Sequence, residues 1–259
     1  MKITILGCGT SAGTPSVGNN WGNCDSKNLK NYRTRSSIIV NKELVNILVD
    51  ASPDLRIQSL NNKVSKLDAV IFTHEHADHC HGIDDLRFFK KNTNLQTLKA
   101  FSSEKVLNEI IKRFEYAFDL KNNQNSHYPP ILSPVIINDT INFMNIKINC
   151  FTQIHGKNES IGYIFDDIFA YSTDVSSLTN SNLEMLKGIK LWIVDCLQIQ
   201  PHLTHSHLEQ TLNWIDIVKP KLSILTHMNS SLDYQYLKSI LPDNVEPAYD
   251  SLVINTDNI

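Results

Sequence analysis

The sequence carries no excess of basic charge: 24 Lys and Arg stand against 27 Asp and Glu, for a net charge of −3. Sequence-independent nucleic-acid binding relies on a cationic footprint and is therefore disfavoured, although a local basic pocket is not excluded. Cysteine is sparse and unpatterned. The five cysteines, at positions 8, 24, 80, 150 and 196, show no Cys-x-x-Cys spacing and are odd in number. That points away from a disulfide scaffold and toward a reduced, cytoplasmic protein. No apolar run is long enough to span a membrane, and MKITILGCGTS at the N-terminus reads as a first strand, not a signal peptide. There is no internal repeat of short fixed period. A length of 259 residues suffices for one large α/β domain, 1–259, and leaves little room for a second.

What the chain does have is THEHADHCHGIDD, residues 73–85. His74, His76, Asp78 and His79 fall within six positions as His-x-His-x-Asp-His. Ligands this close cannot all point one way from a regular strand or helix; they need a turn. The apolar run 67–72, broken by Asp68, reads as the strand that leads in, and Gly82 onward as the start of a short helix. A strand that delivers side chains into a loop before a helix is a common way to hold ions at the mouth of a sheet. Imidazole and carboxylate together suit zinc, manganese or iron, with no need for thiolate. His81 lies outside the pattern and reads as a neighbour of the ligands or a surface residue.

Around this motif the chain alternates strands and helices. The first strand ends in a glycine-rich turn over 7–13, which reads either as a phosphate cradle or as a tight turn after an edge strand. In the polar stretch 19–36, Arg33 and Arg35 are positioned either to meet a substrate phosphate or to form a solvated strand edge. A hairpin over 37–40 and 45–49 ends at Asp50, a candidate to orient a ligand histidine or to cap the helix expected over 53–61. Asp84, Asp85 and Arg87 open the helix after the motif. A helix capped by Ser102 or Ser103 runs to about Phe114. The Asn- and Pro-rich stretch 119–134 reads as a loop and part of a lid. From 135 to 172 the pattern is β. His155 and Asp174 follow two of its strands, and His227 follows the buried strand 221–225. His202, His205 and His207 precede an amphipathic helix, whose N-terminus favours negative charge. A histidine there is suited to meet an anionic substrate or to protonate a leaving oxygen.

At these residues the chain resembles the metallo-β-lactamase superfamily of metal-dependent hydrolases, over nearly its whole length. The resemblance implies a four-layer αβ/βα sandwich with the site at one edge between two mixed sheets. It also implies two divalent ions, zinc or manganese. The first would be held by His74, His76 and His155, and the second by Asp78, His79 and His227, with Asp174 bridging. Two such ions ~3.5–4 Å apart can hold a hydroxide and clamp both attacking and leaving oxygens. Asp78 would help steer the attacking group, and His205 would act as the acid. His202, Arg33 and Arg35 are the candidates for substrate binding. Within the superfamily GCGTSAGTP, THEHADHCHGIDDLR, the His205 helix and EPAYDSLVI are similar to the phosphoribosyl 1,2-cyclic phosphate phosphodiesterase and ribonuclease Z-like group. This makes the expected substrate a small phosphodiester. A tRNA 3′-end endonuclease is the alternative, but such enzymes carry a long arm between the third His and the bridging Asp, for which 155–174 leaves no room. Thioester or lactone hydrolysis is a further alternative. A non-enzymatic binding module is disfavoured by the intact ligand set, and a homodimer is left open. Some relatives hold a structural zinc through several cysteines near 19–36; here only Cys24 remains.

Overall fold

The computed structural model describes residues 1–91, 97–119 and 129–259. His127 and most of the expected lid lie outside the described residues. Two seven-stranded mixed sheets face each other with helices outside them. The first sheet takes β1 (Lys2–Gly7), β2 (Ser37–Lys42), β3 (Val45–Val49), β4 (Ala69–Ile71), β5 (Leu98–Ser102) and β6 (Leu132–Ile136). The second takes β7 (Thr140–Phe143), β8 (Ile146–His155), β9 (Asn158–Phe165), β10 (Phe169–Ser172), β11 (Leu191–Asp195), β12 (Leu222–Thr226) and β13 (Val245–Pro247). The last strand, β14 (Val253–Asn255), returns to the first sheet beside β1. The helices are α1 (Leu55–Asn61), α2 (Ala77–Cys80), α3 (Leu86–Lys91), α4 (Glu104–Phe114), α5 (Asn180–Leu186), α6 (Leu208–Val218) and α7 (Tyr234–Ile240). This is the expected αβ/βα sandwich.

The strand sequences explain the layering. IIV in β2, AVI in β4 and WIV in β11 are continuous apolar runs with almost every side chain buried, as strands covered on both faces require. Strands β3 to β6 run parallel, and so do β10 to β13. Their carboxyl ends open at one edge, where α/β sheets place their ligand sites. The two sheets are pinned together there. Tyr163 Oη of β9 donates to the Phe72 carbonyl at 2.7 Å, and Ser102 Oγ donates to the same oxygen at 2.8 Å. The carbonyl of Thr73 then accepts from Ile161 N at 2.9 Å. The last residues before the histidine motif are thus held from both sheets.

Several local expectations shift. The motif contains its own short helix, α2, and the run after Gly82 is a 3-10 turn over Ile83–Asp85 before α3. Ser103, not Ser102, caps α4 by accepting from Val106 N, while Ser102 is spent on the sheet contact. The stretch 248–254, whose sequence pattern reads as the final strand, is not one strand. Tyr249 to Leu252 turn so that the half-buried Asp250 carboxylate accepts from Cys8 N, Thr34 N and Thr34 Oγ1, and only Val253–Asn255 pair with β1.

Gly82 is where the loop cannot change. Its N–H donates to Ala51 O, and a Cβ there would lie 2.0 Å from the carbonyl oxygen of Ser52. That neighbour is backbone of the loop between β3 and α1, so it cannot rotate aside. Gly82→Ala is expected to lower the unfolding free energy by ~1–3 kcal/mol, the usual cost of forcing an extra carbon into a packed site, read from urea denaturation. An unchanged midpoint would show that the loop has slack.

Candidate metal centre

Most residues at the centre come from the end of a strand or the turn after it, while His76, Asp78 and His79 sit at the cap and first turn of α2 and His205 in the loop before α6. Asp50 follows β3, His74 follows β4, His155 ends β8, Asp174 follows β10, Asp195 ends β11 and His227 follows β12. Asp50, Asp174 and His227 have φ values of 62°, 52° and 57°. Left-handed backbone is unfavourable for residues with a Cβ, least so for Asp. Three such residues meet at one edge of the sandwich, one from the first sheet and two from the second, and backbone of this kind concentrates at functional sites.

Asp174 lies at the middle, and its two oxygens face different partners. Oδ2 is 3.6 Å from His74 Nε2 and 3.7 Å from His155 Nε2. Oδ1 is 3.1 Å from His79 Nε2 and 3.4 Å from His227 Nε2. Asp78 Oδ2 joins the second set, 3.3 Å from His79 Nε2 and 3.6 Å from His227 Nε2. His74, His76, His155 and Asp174 form one group of converging donors, and Asp78, His79 and His227 another, each with its donor atoms within 4.8 Å of one another.

The imidazoles are oriented from behind. Asp50, fully buried, accepts from Thr73 N at 2.8 Å, from Thr73 Oγ1 at 2.8 Å and from His79 Nδ1 at 2.7 Å. Because the Thr73 hydroxyl hydrogen is given to Asp50, its oxygen is left to accept from His74 Nδ1 at 3.0 Å. One carboxylate therefore fixes two rings, one directly and one through a threonine. His155 Nδ1 donates to Thr204 O at 2.6 Å. These bonds put the proton on Nδ1 and leave the Nε2 lone pairs facing inward. The buried Nε2 atoms of His74, His79 and His227 have no hydrogen-bond partner among the described residues. Buried polar atoms are rarely left so, and a shared inward lone-pair direction is what a cation requires. The donor set fits divalent metal.

The electrostatics without metal show the same demand for positive charge. Burial opposes ionisation of Asp174, yet the ring charges of His227, His79 and His74 hold it well below the usual carboxylate range. Burial likewise opposes the charged form of His79, and Asp174, Asp78 and Asp50 hold its pKa well above that of a free imidazole. Burial, with the charge of His79 beside it, pushes His74 well down.

One functional candidate was missed in the sequence. Asp195, fully buried, accepts from His205 Nδ1 at 3.0 Å and from Val175 N at 3.0 Å through Oδ2. Its Oδ1 lies 3.8 Å from His227 Nδ1. The signal was available, an Asp at the carboxyl end of a buried strand, but nothing in the local pattern tied it to His205. Burial would lower the His205 pKa; the Asp195 charge and hydrogen bond, with Asp174, raise it to about 9. The ring's Nε2 points inward, 3.8 Å from Asp174 Oδ2.

A cleft of about 580 Å³ opens onto these groups, lined by Ser11, His76, Asp78, His155, Lys157 and His205 among others. The expected substrate arginines do not reach it. Arg33 is buried, donating to Asn229 O at 3.0 Å and Leu232 O at 2.5 Å, so it braces the loop after His227. Arg35 is paired with Asp54 at 3.1 Å. His202 is exposed, its ring 5.5 Å from that of His205, and is not part of the cleft lining. His81 is exposed and packs edge-on against Phe114. Asp84 accepts from Tyr116 Oη, and Arg87 donates to Pro129 O.

The model of the beta-lactamase superfamily domain matches residues 45–228, from β3 to the residue after His227. The chain belongs to the beta-lactamase superfamily. Its fold is that of the superfamily's metal-dependent hydrolases, and its His and Asp groups could bind metal. A crystal structure described as a new diphosphatase from the PhnP family superposes with a TM-score of 0.87 at 30% identity, covering 98% of this chain and 97% of that one. The short form of human tRNase Z superposes at 0.70 with 15% identity, covering 99% of each chain, a likeness of fold. Among curated proteins, an octanoyltransferase of Porphyromonas gingivalis is 31% identical over 97% of this chain, which spans only 51% of that protein. The anti-Pycsar protein Apyc1 of Paenibacillus harenae is 26% identical over 65% of this chain and 71% of its own length. No helix among the described residues is long and apolar enough to cross a membrane.

If Asp50 fixes the two rings as described, Asp50→Asn should keep the fold but weaken metal binding by ~10–100-fold, the usual effect of losing a carboxylate behind a ligating histidine. Chelator competition with zinc measures it. Wild-type affinity would show that Thr73 and packing hold the rings unaided.

Proposed function

We propose that this chain hydrolyses small phosphodiesters at a two-metal centre, in which His74, His76 and His155 hold one ion, Asp78, His79 and His227 the other, and Asp174 bridges them. The observation that carries this reading is the division of the Asp174 carboxylate, one oxygen toward each histidine group. When bound, the ions supply Lewis acidity and a nucleophile at neutral pH. The rest falls to the chain's own side chains.

Asp78 lines the cleft, and its partly exposed carboxylate is placed to accept a hydrogen bond from the attacking water. His205 stands across the cleft with its Nδ1 proton given to Asp195. That bond fixes the ring so that a second proton on Nε2 points at the space over Asp174, where the leaving oxygen would sit. Asp195, itself held by Val175 N, stabilises the charged ring and keeps it from swinging away. His205 is thereby suited to protonate a leaving alkoxide.

The resemblance to a PhnP-family diphosphatase supports phosphate ester chemistry. Small substrates are favoured over tRNA because residues 155–174 are spent on β9, a short turn and β10, leaving nothing to form a gripping arm. The net charge of −3 adds no general affinity for nucleic acid.

The test uses the metal-loaded protein and three substrates: an alkyl phosphodiester, bis(p-nitrophenyl) phosphate and a precursor tRNA. The small diesters should be cleaved far faster than the tRNA. His205→Ala should keep its metal and lose ~10²–10⁴-fold on the alkyl diester, the worth of general acid catalysis. The loss should be smaller on the p-nitrophenyl ester, whose leaving group departs without a proton. Equal losses on both would assign His205 to phosphate binding, and efficient, salt-sensitive trimming of the tRNA would overturn the choice of substrate.

A further inference from the structure

His205 and His227 are stacked, their ring centroids 4.7 Å apart and their planes 12° from parallel. Both rings lie between the same two carboxylates. On one side, Asp195 meets His205 Nδ1 at 3.0 Å through Oδ2 and His227 Nδ1 at 3.8 Å through Oδ1. On the other, Asp174 lies 3.8 Å from His205 Nε2 and 3.4 Å from His227 Nε2. The ring read above as an acid and the ring read as a metal ligand therefore share one frame.

Three features of His205 are those of a ligand. Its Nδ1 proton is given to a buried carboxylate, as that of His79 is given to Asp50, which leaves Nε2 facing inward. Its Nε2 lies 3.8 Å from Asp174 Oδ2, beyond hydrogen-bond range, against 3.6 Å for His74 and 3.7 Å for His155 on the same oxygen. Asp174, His205 and His227 also form a third set of converging donors, all within 4.8 Å of one another. A proton donor needs its Nε2 directed at the substrate; it has no need to converge with ligands on one point.

The loop that carries the ring is fixed to β11. Ser206 Oγ and Thr211 Oγ1 donate to Asp195 O at 2.6 and 2.8 Å, and Leu197 N donates to Ser206 O at 3.0 Å. Farther along, Thr204 O accepts from His155 Nδ1, and Gly156 packs against the Thr204 side chain. His205 is thus held over the centre by the protein alone, with no substrate needed to bring it there. Catalytic metal centres keep one position for substrate, and a fixed lone pair beside that position fills it until substrate comes.

We propose that His205 is a reserve ligand: in the substrate-free, metal-loaded protein its Nε2 binds the ion beside Asp174 and His227, and an incoming phosphoryl oxygen displaces it. The bond from Nε2 to the ion breaks as the bond from the oxygen forms. The freed lone pair takes a proton from solvent, and that proton is the one later given to the leaving oxygen. This rests on the two-metal phosphodiesterase reading and deepens it, because the acid is armed only when the site is occupied.

The test is NMR of the protein loaded with spin-active cadmium and carrying labelled histidine nitrogens, in which each ligating ring shows a coupling to the metal. Without added anion, His205 should couple alongside His74, His76, His79, His155 and His227. Saturating inorganic phosphate should remove the His205 coupling and leave the others. In a separate measurement, chelator competition with zinc in the absence of phosphate, His205→Ala should keep both ions at saturating metal but release one of them ~10-fold more readily or worse, at least the cost of losing a partner behind a ligand. No coupling at His205 in the anion-free protein, a coupling that persists in phosphate, or wild-type zinc affinity in His205→Ala would overturn the proposal. Metal analysis that finds one ion per chain would overturn the two-metal reading, and the His205 coupling would still be judged on its own.

Discussion

Four carboxylates, Asp50, Asp78, Asp174 and Asp195, are crowded at one edge of the sandwich, three of them essentially without solvent contact. Burying one unpaired carboxylate costs several kcal/mol, and burying several together costs more. The edge exists only because cationic or proton-donating groups meet each of them. Asp50 is met by Thr73 and His79, and Asp195 by His205 and Val175. Asp174 accepts from Thr173 Oγ1, but otherwise it and Asp78 are met by inward Nε2 atoms that lack hydrogen-bond geometry, so this part of the balance is left for metal. Metal binding must then compete with protons for the same rings, because a ligating imidazole is neutral. The raised pKa of His79 shows how firmly the metal-free edge retains one.

The scaffold supplies the rigidity that such crowding needs. The Phe72 carbonyl, gripped by Ser102 and Tyr163, anchors the strand end before the motif to both sheets. Arg33 braces the loop beyond His227 from inside the protein. The exposed cleft residues are on the rim, Leu203 and Lys157 among them, whereas the groups at its base are buried and hydrogen-bonded. That division suits a site whose chemistry depends on fixed donors and whose specificity depends on a few exposed side chains.

Much of this was legible in the sequence, for local reasons. The His-x-His-x-Asp-His spacing needs no tertiary information, and His155, Asp174 and His227 each stood at the end of a strong apolar strand pattern. Asp50 was readable for the same reason. What escaped was decided by contacts distant in sequence. Asp195 meets His205 only because β11 and the loop before α6 share the sheet edge. Arg33 looked like a surface cation but is consumed by carbonyls of residues 229 and 232, nearly 200 positions away. Lys157 is unremarkable in HGKNES until the cleft shows it to be the single Lys or Arg of the lining. The final strand is shorter than the 248–254 pattern suggests because a half-buried Asp250, bonded to Cys8 and Thr34, holds the chain in a turn.

The account stands on Asp174 dividing its oxygens between two ions. Anomalous diffraction from crystals of the zinc- or manganese-loaded protein tests this most directly. Two peaks ~3.5–4 Å apart are expected, the spacing of two-metal hydrolytic sites, one beside His74, His76 and His155 and the other beside Asp78, His79 and His227, each in contact with one oxygen of Asp174. A single fully occupied ion, or two ions with Asp174 bound to only one, would contradict it.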